Sequence, residues 1–493
     1  MTAADETWPG PTVGVEEEFF LVDPDSGRPL PEADQVLADL RGVPPARYGG
    51  AELQRELLAC QVEAASAVCR SLTGLAGRLH LARRRLAAAA HRRGALLISS
   101  GTPPAPPGRA TLSRGDRFRR IAELYAGVVP DYHASGCHVH VGVRDRETAV
   151  AVTAHLRPWL PTLLALSANS PHHDGEDTGY ASWRMVQQSR FPGSGVPPVF
   201  DSAAAYDREV ARLVDCGALV DERMSFWLVR PSARFPTLEF RVADAAATCD
   251  EAVLQAALAR ALVRTAVEAV DRGRPAPRVS DQVAAAAVWS AARHGLHGSG
   301  VDPFRERRVP ATELVAALLA HVRPALEATG DRKLVDTRLR WLTTHGDGAA
   351  RQRRHPPADR AALLRHLAEE TVAPPRAAGP APTAPRTPGA PYAAGPVGPA
   401  SVPGAPYAAG PAGVPYAPDP PPGPDGHRVA GTLGVTGPAA APEGHGALDA
   451  PGTRGTPGTL DAPGPVGTSD AHGIPGTPDA HGTPDALDRG GLR

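Results

Sequence analysis

The chain has 493 residues, 42% of them apolar and 21% charged, and its 52 basic and 53 acidic side chains leave a net charge of −1. That balance supplies no basic field for nucleic acid or an anionic membrane surface, and no run of about 20 apolar residues could cross a bilayer. The five cysteines contain no C-x-x-C pair, which excludes a zinc ribbon and argues against a disulfide framework.

Val13 to Val22 reads as a strand, closed by the turn Asp23-Pro24-Asp25-Ser26-Gly27. Ser71 to Arg93 reads as a helix: Ser71 can cap it, Leu72, Leu75, Leu79 and Leu86 recur at helical spacing, and Gly94 stops it. Ala95 to Ser99 fits a short buried strand, and Ser135 to Val143 a longer one. Glu147 to Ser167 is an apolar helix interrupted by Pro158 and Pro161. Met224 to Val229 and Thr237 to Ala243 read as two strands joined by a turn at Pro231. Asp250 is the expected N-cap of a helix to Val270, and further helices are expected over Ser280 to His294, Ala311 to Thr329 and Pro357 to Thr371. Strand groups separated by long helices predict an α+β fold, a mostly antiparallel sheet covered by helices on one side.

All six Trp and all nine Phe lie before residue 372, whereas residues 372–493 hold 27 of the 54 prolines. A segment so poor in large apolar groups cannot offset its ordering entropy. The expected organisation is therefore a folded domain over 1–371 and a disordered Pro/Gly/Ala-rich tail over 372–493. The N-terminus, MTAADETWPGPT, is acidic and lacks an apolar signal core, so a cytoplasmic location is expected.

Three strands carry ionisable pairs at i and i+2, positions that share a face. They are Glu16 and Glu18 in VGVEEEF, His138 and His140 in GCHVHVG, and Glu239 and Arg241 in TLEFRV. Each strand keeps apolar residues for the other face. Two carboxylates at that spacing repel unless a cation lies between them. Carboxylates, an imidazole and an arginine suit Mg²⁺ or Mn²⁺ carrying phosphates. Glu63 lies in a short apolar stretch and could join the cluster; Glu56 reads more simply as a surface helix residue. Ala168-Asn169-Ser170-Pro171 and the following Gly175 to Arg184 form a loop dense in donors and acceptors. Lys333 is the only lysine and is followed by Leu334, so there is no P-loop, and any bound ATP must be held by arginine and metal ions.

The strings VGVEEEFFLVD, SGCHVHVGV, ANSP with DTGYASWR, LEFRVADAAATCDEAV, AARHGL and GAARQR, in that order, resemble the carboxylate–amine ligases of the glutamate–cysteine ligase type 2 family. The resemblance implies a glutamine-synthetase-like curved, mostly antiparallel sheet that holds ATP and divalent metal. It implies ligation of an amino-acid carboxylate to an amine through an acyl phosphate, with weak glutamate–cysteine ligase activity and the natural substrates left open. By motif match it implies metal binding by Glu16, Glu18, Glu63, His138 and Glu239, with His140 the rival of His138. It places Arg241 on phosphate or the acyl phosphate. Tyr180 and Arg184 are candidates for orienting the substrate carboxylate, and Tyr180 and Asn169 join Arg241 as cofactor-binding candidates. Small-molecule partners are expected (amino acids and ATP), with neither nucleic acid nor membrane, and a homodimer is one assembly to consider. Two other readings stay open: a zinc hydrolase using H-x-H in a βα barrel, and a catalytically silent binding protein of the ligase fold.

Overall fold

Period-2 alternation builds the sheet that carries the chemistry. The computed structural model describes residues 11–355 and 359–376. Its strands run in chain order as β1 (Val13–Val22), β2 (Glu52–Arg55), β3 (Gln61–Ala65), β4 (Leu96–Ile98), β5 (Gly136–Gly142), a two-stranded hairpin β6 (His172–His173) and β7 (Glu176–Asp177), then β8 (Val229–Pro231), β9 (Thr237–Asp244) and a second hairpin, β10 (Ser299–Asp302) and β11 (Arg307–Pro310). The main sheet has the order β2-β3-β1-β5-β9-β8, with β4 also on β1, and its pairings are antiparallel. The expected α+β class is what the structure shows. The parallel strands that a βα barrel requires are not in this sheet, which removes the fold behind the hydrolase reading.

One face of the sheet is the core. Val13, Val15, Val139, Val141, Leu238, Phe240 and Val242 are buried against the helix Cys249–Asp271 and the helices Arg146–Leu156 and Leu160–Ser167. The opposite face is where the ionisable pairs stand. Glu17 is the exception on β1: it turns to the apolar side and is buried against Arg83.

Several element boundaries differ from the sequence reading. Residues Glu222–Met224 form a 3₁₀ turn and the strand is only Val229–Pro231, so the link to β9 is Ser232 to Pro236 and not a turn at Pro231. The helix after β9 is capped by Thr248, whose side chain accepts from the Glu251 N–H while Glu251 accepts from the Thr248 N–H; Asp250 is inside the helix. Pro158 lies in a 3₁₀ turn, Arg157–Trp159, that splits the long apolar helix in two. Ser71 caps its helix as expected, and Ser280, the start expected for its helix, is the N-cap of Asp281–His294. The last helix is Arg360–Val372; Pro357, the start expected for it, lies outside the described residues.

The described chain continues beyond the expected domain end at residue 371. Arg376 donates from its backbone N–H (2.9 Å) and from Nη1 (3.0 Å) to Asp250, and its guanidinium lies 3.7 Å from the centre of the Trp341 ring. Residues 377–493, where the disordered tail was expected, are outside the described residues. A chain ending at Arg376 is therefore expected to melt with the full protein, because the composition beyond it offers no core. A chain ending at Thr371 should melt lower by about 2–4 °C, the loss of roughly 1 kcal/mol from the Arg376 contacts. Equal melting of both truncations in a calorimeter would show that Arg376 contributes nothing.

Candidate active site

Strand register brings the polar pairs into one row. Glu16 stands opposite His138 and Glu18 opposite Glu63; His140 is opposite Glu239, and Glu239 is opposite Arg230. Between Phe240 and Ala243 strand β9 has two residues, Arg241 and Val242, where β5 has only His138. This bulge sets Arg241 into the row. The row lines a cleft of about 270 Å³ that also takes in Glu56, Arg117, Tyr132, Arg184, Arg230 and Phe235.

Two carboxylate clusters share the cleft. Glu16, His138 and Glu239 present ligand atoms within 4.8 Å of one another, and Glu18, Glu56 and Glu63 do the same. Glu16 sits between the two imidazoles, 3.4 Å from His138 Nδ1 and 3.2 Å from His140 Nε2. Burial would raise its pKa, but the contacts and charges of the two histidines outweigh burial and hold it well below the usual carboxylate range. Glu18 accepts from the Gly136 N–H at 2.6 Å, yet burial, and then repulsion from Glu56, push its pKa up to about 8. Glu63 is raised well above its ordinary value by burial and by Glu16, Glu56 and Glu18. Glu56 is likewise raised, by burial. Burial and the Arg241 charge lower His138 to about 4, leaving a neutral imidazole able to ligate.

These groups fit a hard divalent cation. Three carboxylates whose pKa values are pushed upward by burial and crowding, beside an imidazole kept neutral, form a donor set that gains from positive charge. Glu56, read from sequence as a surface helix residue, is instead half-buried in the link between β2 and β3 and completes the second cluster. Its signal was the E-x₆-E spacing to Glu63, which a tight β2–β3 link folds into one cluster. His140 donates or accepts at Thr237 Oγ1 (2.9 Å) through Nδ1, so its free nitrogen faces Glu16.

The arginines have different commitments. Arg241 pairs with Glu239 through Nη1, and its Nε is buried without a partner. Arg184 is buried; its Nη2 donates to the Arg241 carbonyl at 3.2 Å and its Nη1 has no partner. Gly136 makes room for it: a Cβ there would lie 2.5 Å from Arg184 Nη2, so a side chain at this position would push the guanidinium from its place. Arg117 is taken by Asp221 at 2.8 and 3.2 Å.

Two sequence candidates are not in the cleft. Asn169 donates to the carbonyls of Ser99 (3.0 Å) and Ala245 (2.8 Å) and accepts from Gln352 (2.8 Å), which spends its amide on the scaffold. Tyr180 accepts from Trp289 Nε1 (3.2 Å) and lines a separate apolar groove with Trp289 and Val288. Both are polar residues in a donor-rich loop, and sequence alone could not separate loop architecture from ligand binding. Of the loop candidates, Arg184 alone reaches the cleft.

The family model for glutamate–cysteine ligase family 2 matches residues 12–369. A relative from Saccharopolyspora erythraea, named "Putative glutamate--cysteine ligase 2-2", is 59% identical over 344 residues, 70% of this chain and 88% of its own length. A 2-1 relative of the same naming from Nocardia farcinica is 44% identical over 364 residues, covering 73% of this chain and 94% of that protein. Among solved structures, the glutamate–cysteine ligase of Francisella tularensis in complex with AMP is similar with a TM-score of 0.56 at 11% identity, over 74% of this chain and 89% of that one. A bifunctional glutathione synthetase from Pasteurella multocida gives 0.51 at 15% identity, over 74% of this chain and 51% of that one. At such identities the two structures speak for the fold. The family model and the sequence relatives define the class of protein, a ligase. The chain belongs to glutamate–cysteine ligase family 2. No helix among the described residues is long and apolar enough to cross a membrane.

Proposed function

We propose that this chain ligates an amino-acid carboxylate to an amine at the expense of ATP through an acyl phosphate, with glutamate and cysteine as the substrate pair and γ-glutamylcysteine as the product, at a low rate. The observation that carries the reading is one cleft holding two carboxylate clusters beside buried, unpartnered guanidinium nitrogens of Arg184 and Arg241. The metal ligands are Glu16, Glu18, Glu63, His138 and Glu239 as the motif match has them, with Glu56 added. These residues would hold Mg²⁺ or Mn²⁺, which would supply neutralisation of phosphate charge.

The chain's own residues do the rest. A carboxylate oxygen attacks the γ-phosphorus and ADP leaves. The amine then attacks the acyl carbon, the C–O bond to phosphate breaks, and the leaving phosphate accepts the amine proton. Both steps put charge on phosphoryl oxygens, where Arg241 donates. Arg184 orients the acceptor carboxylate with its free Nη1. No side chain in the cleft is needed as a base for the amine.

Products distinguish this route from adenylation. Incubation with ATP, a divalent cation and pairs of amino acids should release ADP and phosphate, and only when both substrates are present. Detection of AMP and pyrophosphate would contradict it.

A further inference from the structure

Glu239 is held by two arginines that differ in what else holds them. Arg230, opposite it on β8, donates from Nε and Nη2 to both carboxylate oxygens at 2.9 and 3.1 Å. Its Nη1 donates to the carbonyls of Arg223 (2.9 Å) and Ser225 (2.5 Å), so backbone fixes it in place. It is only 8% exposed. Arg241 is tied differently. Its guanidinium is held by Glu239 alone, and its Nε is buried with no partner. One arginine is anchored and the other is tethered only through the carboxylate they share.

A buried carboxylate stranded without a partner is costly. If Arg241 were its only arginine partner, moving that guanidinium to a phosphate would leave Glu239 with no hydrogen-bond donor and only the bound cation to balance its charge. With Arg230 in place, the carboxylate stays paired at both oxygens whichever way Arg241 points. We propose that Arg230 is a positioning residue that frees Arg241 for the nucleotide phosphates by holding Glu239 permanently. The inference rests on the ATP reading above.

The test is a double-mutant cycle on the full-length protein, read as the calorimetric Kd of ADP in the presence of Mg²⁺, with melting recorded for every variant. Arg241→Met should weaken ADP by about 10-fold or more. Arg230→Met should weaken it by a similar factor, although Arg230 does not contact the nucleotide in this account. The double variant should be no weaker than Arg241→Met alone, within about twofold, because Arg230 acts through Arg241. Arg230→Lys, which keeps a charge but not the fork, should fall between parent and Arg230→Met, and its cycle with Arg241→Met replaces the first one if Arg230→Met does not melt cooperatively. A purely structural Arg230 would lower the melting temperature and leave the Kd of the folded protein at the parent value. Multiplicative losses in the double variant would also overturn the proposal. If the parent itself binds no ADP, the ATP reading falls and the inference falls with it; if the parent binds and the cycle is multiplicative, only the inference falls.

Discussion

Glu18→Gln is expected to lose turnover by at least about 100-fold while the protein stays folded. Glu18 belongs to the cluster with Glu56 and Glu63, and its carboxyl accepts only from the Gly136 N–H and lies 3.6 Å from His138 Nε2. Removing a negative ligand weakens the cation and, through it, the phosphates. The pH behaviour follows from the raised pKa of about 8, against an ordinary value of 4.5. Between those two values the folded protein holds a proton that the unfolded chain has released, so this group lowers stability as pH rises through the window. Glutamine removes that penalty, and the variant should melt at or above the parent, increasingly so toward pH 8. Cation binding by the parent must displace the same proton, so its affinity should rise with pH up to about 8, and the variant should show a shallower slope, keeping only the part that Glu56 and Glu63 contribute. Melting curves and Mn²⁺ titrations at several pH values read all of this. Parent-like turnover of the variant at saturating Mg²⁺ would remove Glu18 from the metal assignment.

Arg83→Met carries the largest expected stability loss, about 3–5 kcal/mol. Arg83 is fully buried and donates to both oxygens of Glu17 at 3.0 and 2.6 Å. It also donates to the carbonyls of Ala246 (2.8 Å), Ala247 (3.2 Å) and Thr371 (3.1 Å). One side chain thus ties β1, the link after β9 and the last helix together. Methionine leaves Glu17, itself 2% exposed, as an unpaired buried charge. Adding Glu17→Gln should recover part of the loss, because the stranded charge and not the missing packing dominates. Denaturant midpoints measure it; a loss below about 1 kcal/mol would mean the pair is dispensable.

The Arg83–Glu17 pair shows where sequence reading stops. Alternation in VGVEEEF places Glu16 and Glu18 on one face, and register confirms that they face His138 and Glu63. The same alternation puts Glu17 among Val15 and Phe19, on the apolar side, and nothing local says that a residue 66 positions away would neutralise it. The main strands and the capped helices were legible because period and cap residues are local signals. β2 and β3 were not, since Glu52 to Arg55 is short, half-exposed and lacks a clean alternation. Arg230 was missed for a related reason: placing the turn at Pro231 takes it out of the strand, whereas pairing of Pro231 with Leu238 puts it across from Glu239. The motif residues line one cleft except for Asn169, which bonds to scaffold carbonyls, and Tyr180, which lines a separate groove, while Arg184 of the same loop reaches the cleft.

The central claim, transfer of phosphate to a carboxylate before the amine attacks, is tested most directly with heavy oxygen in the acceptor carboxylate. The protein is incubated with ATP, Mg²⁺, side-chain-labelled glutamate and cysteine, and the released phosphate is analysed by mass spectrometry. An acyl phosphate breaks at the acyl carbon, so one labelled oxygen should be carried into each phosphate, with ADP released in equal amount. Unlabelled phosphate accompanying product, or label recovered in AMP, would contradict the account.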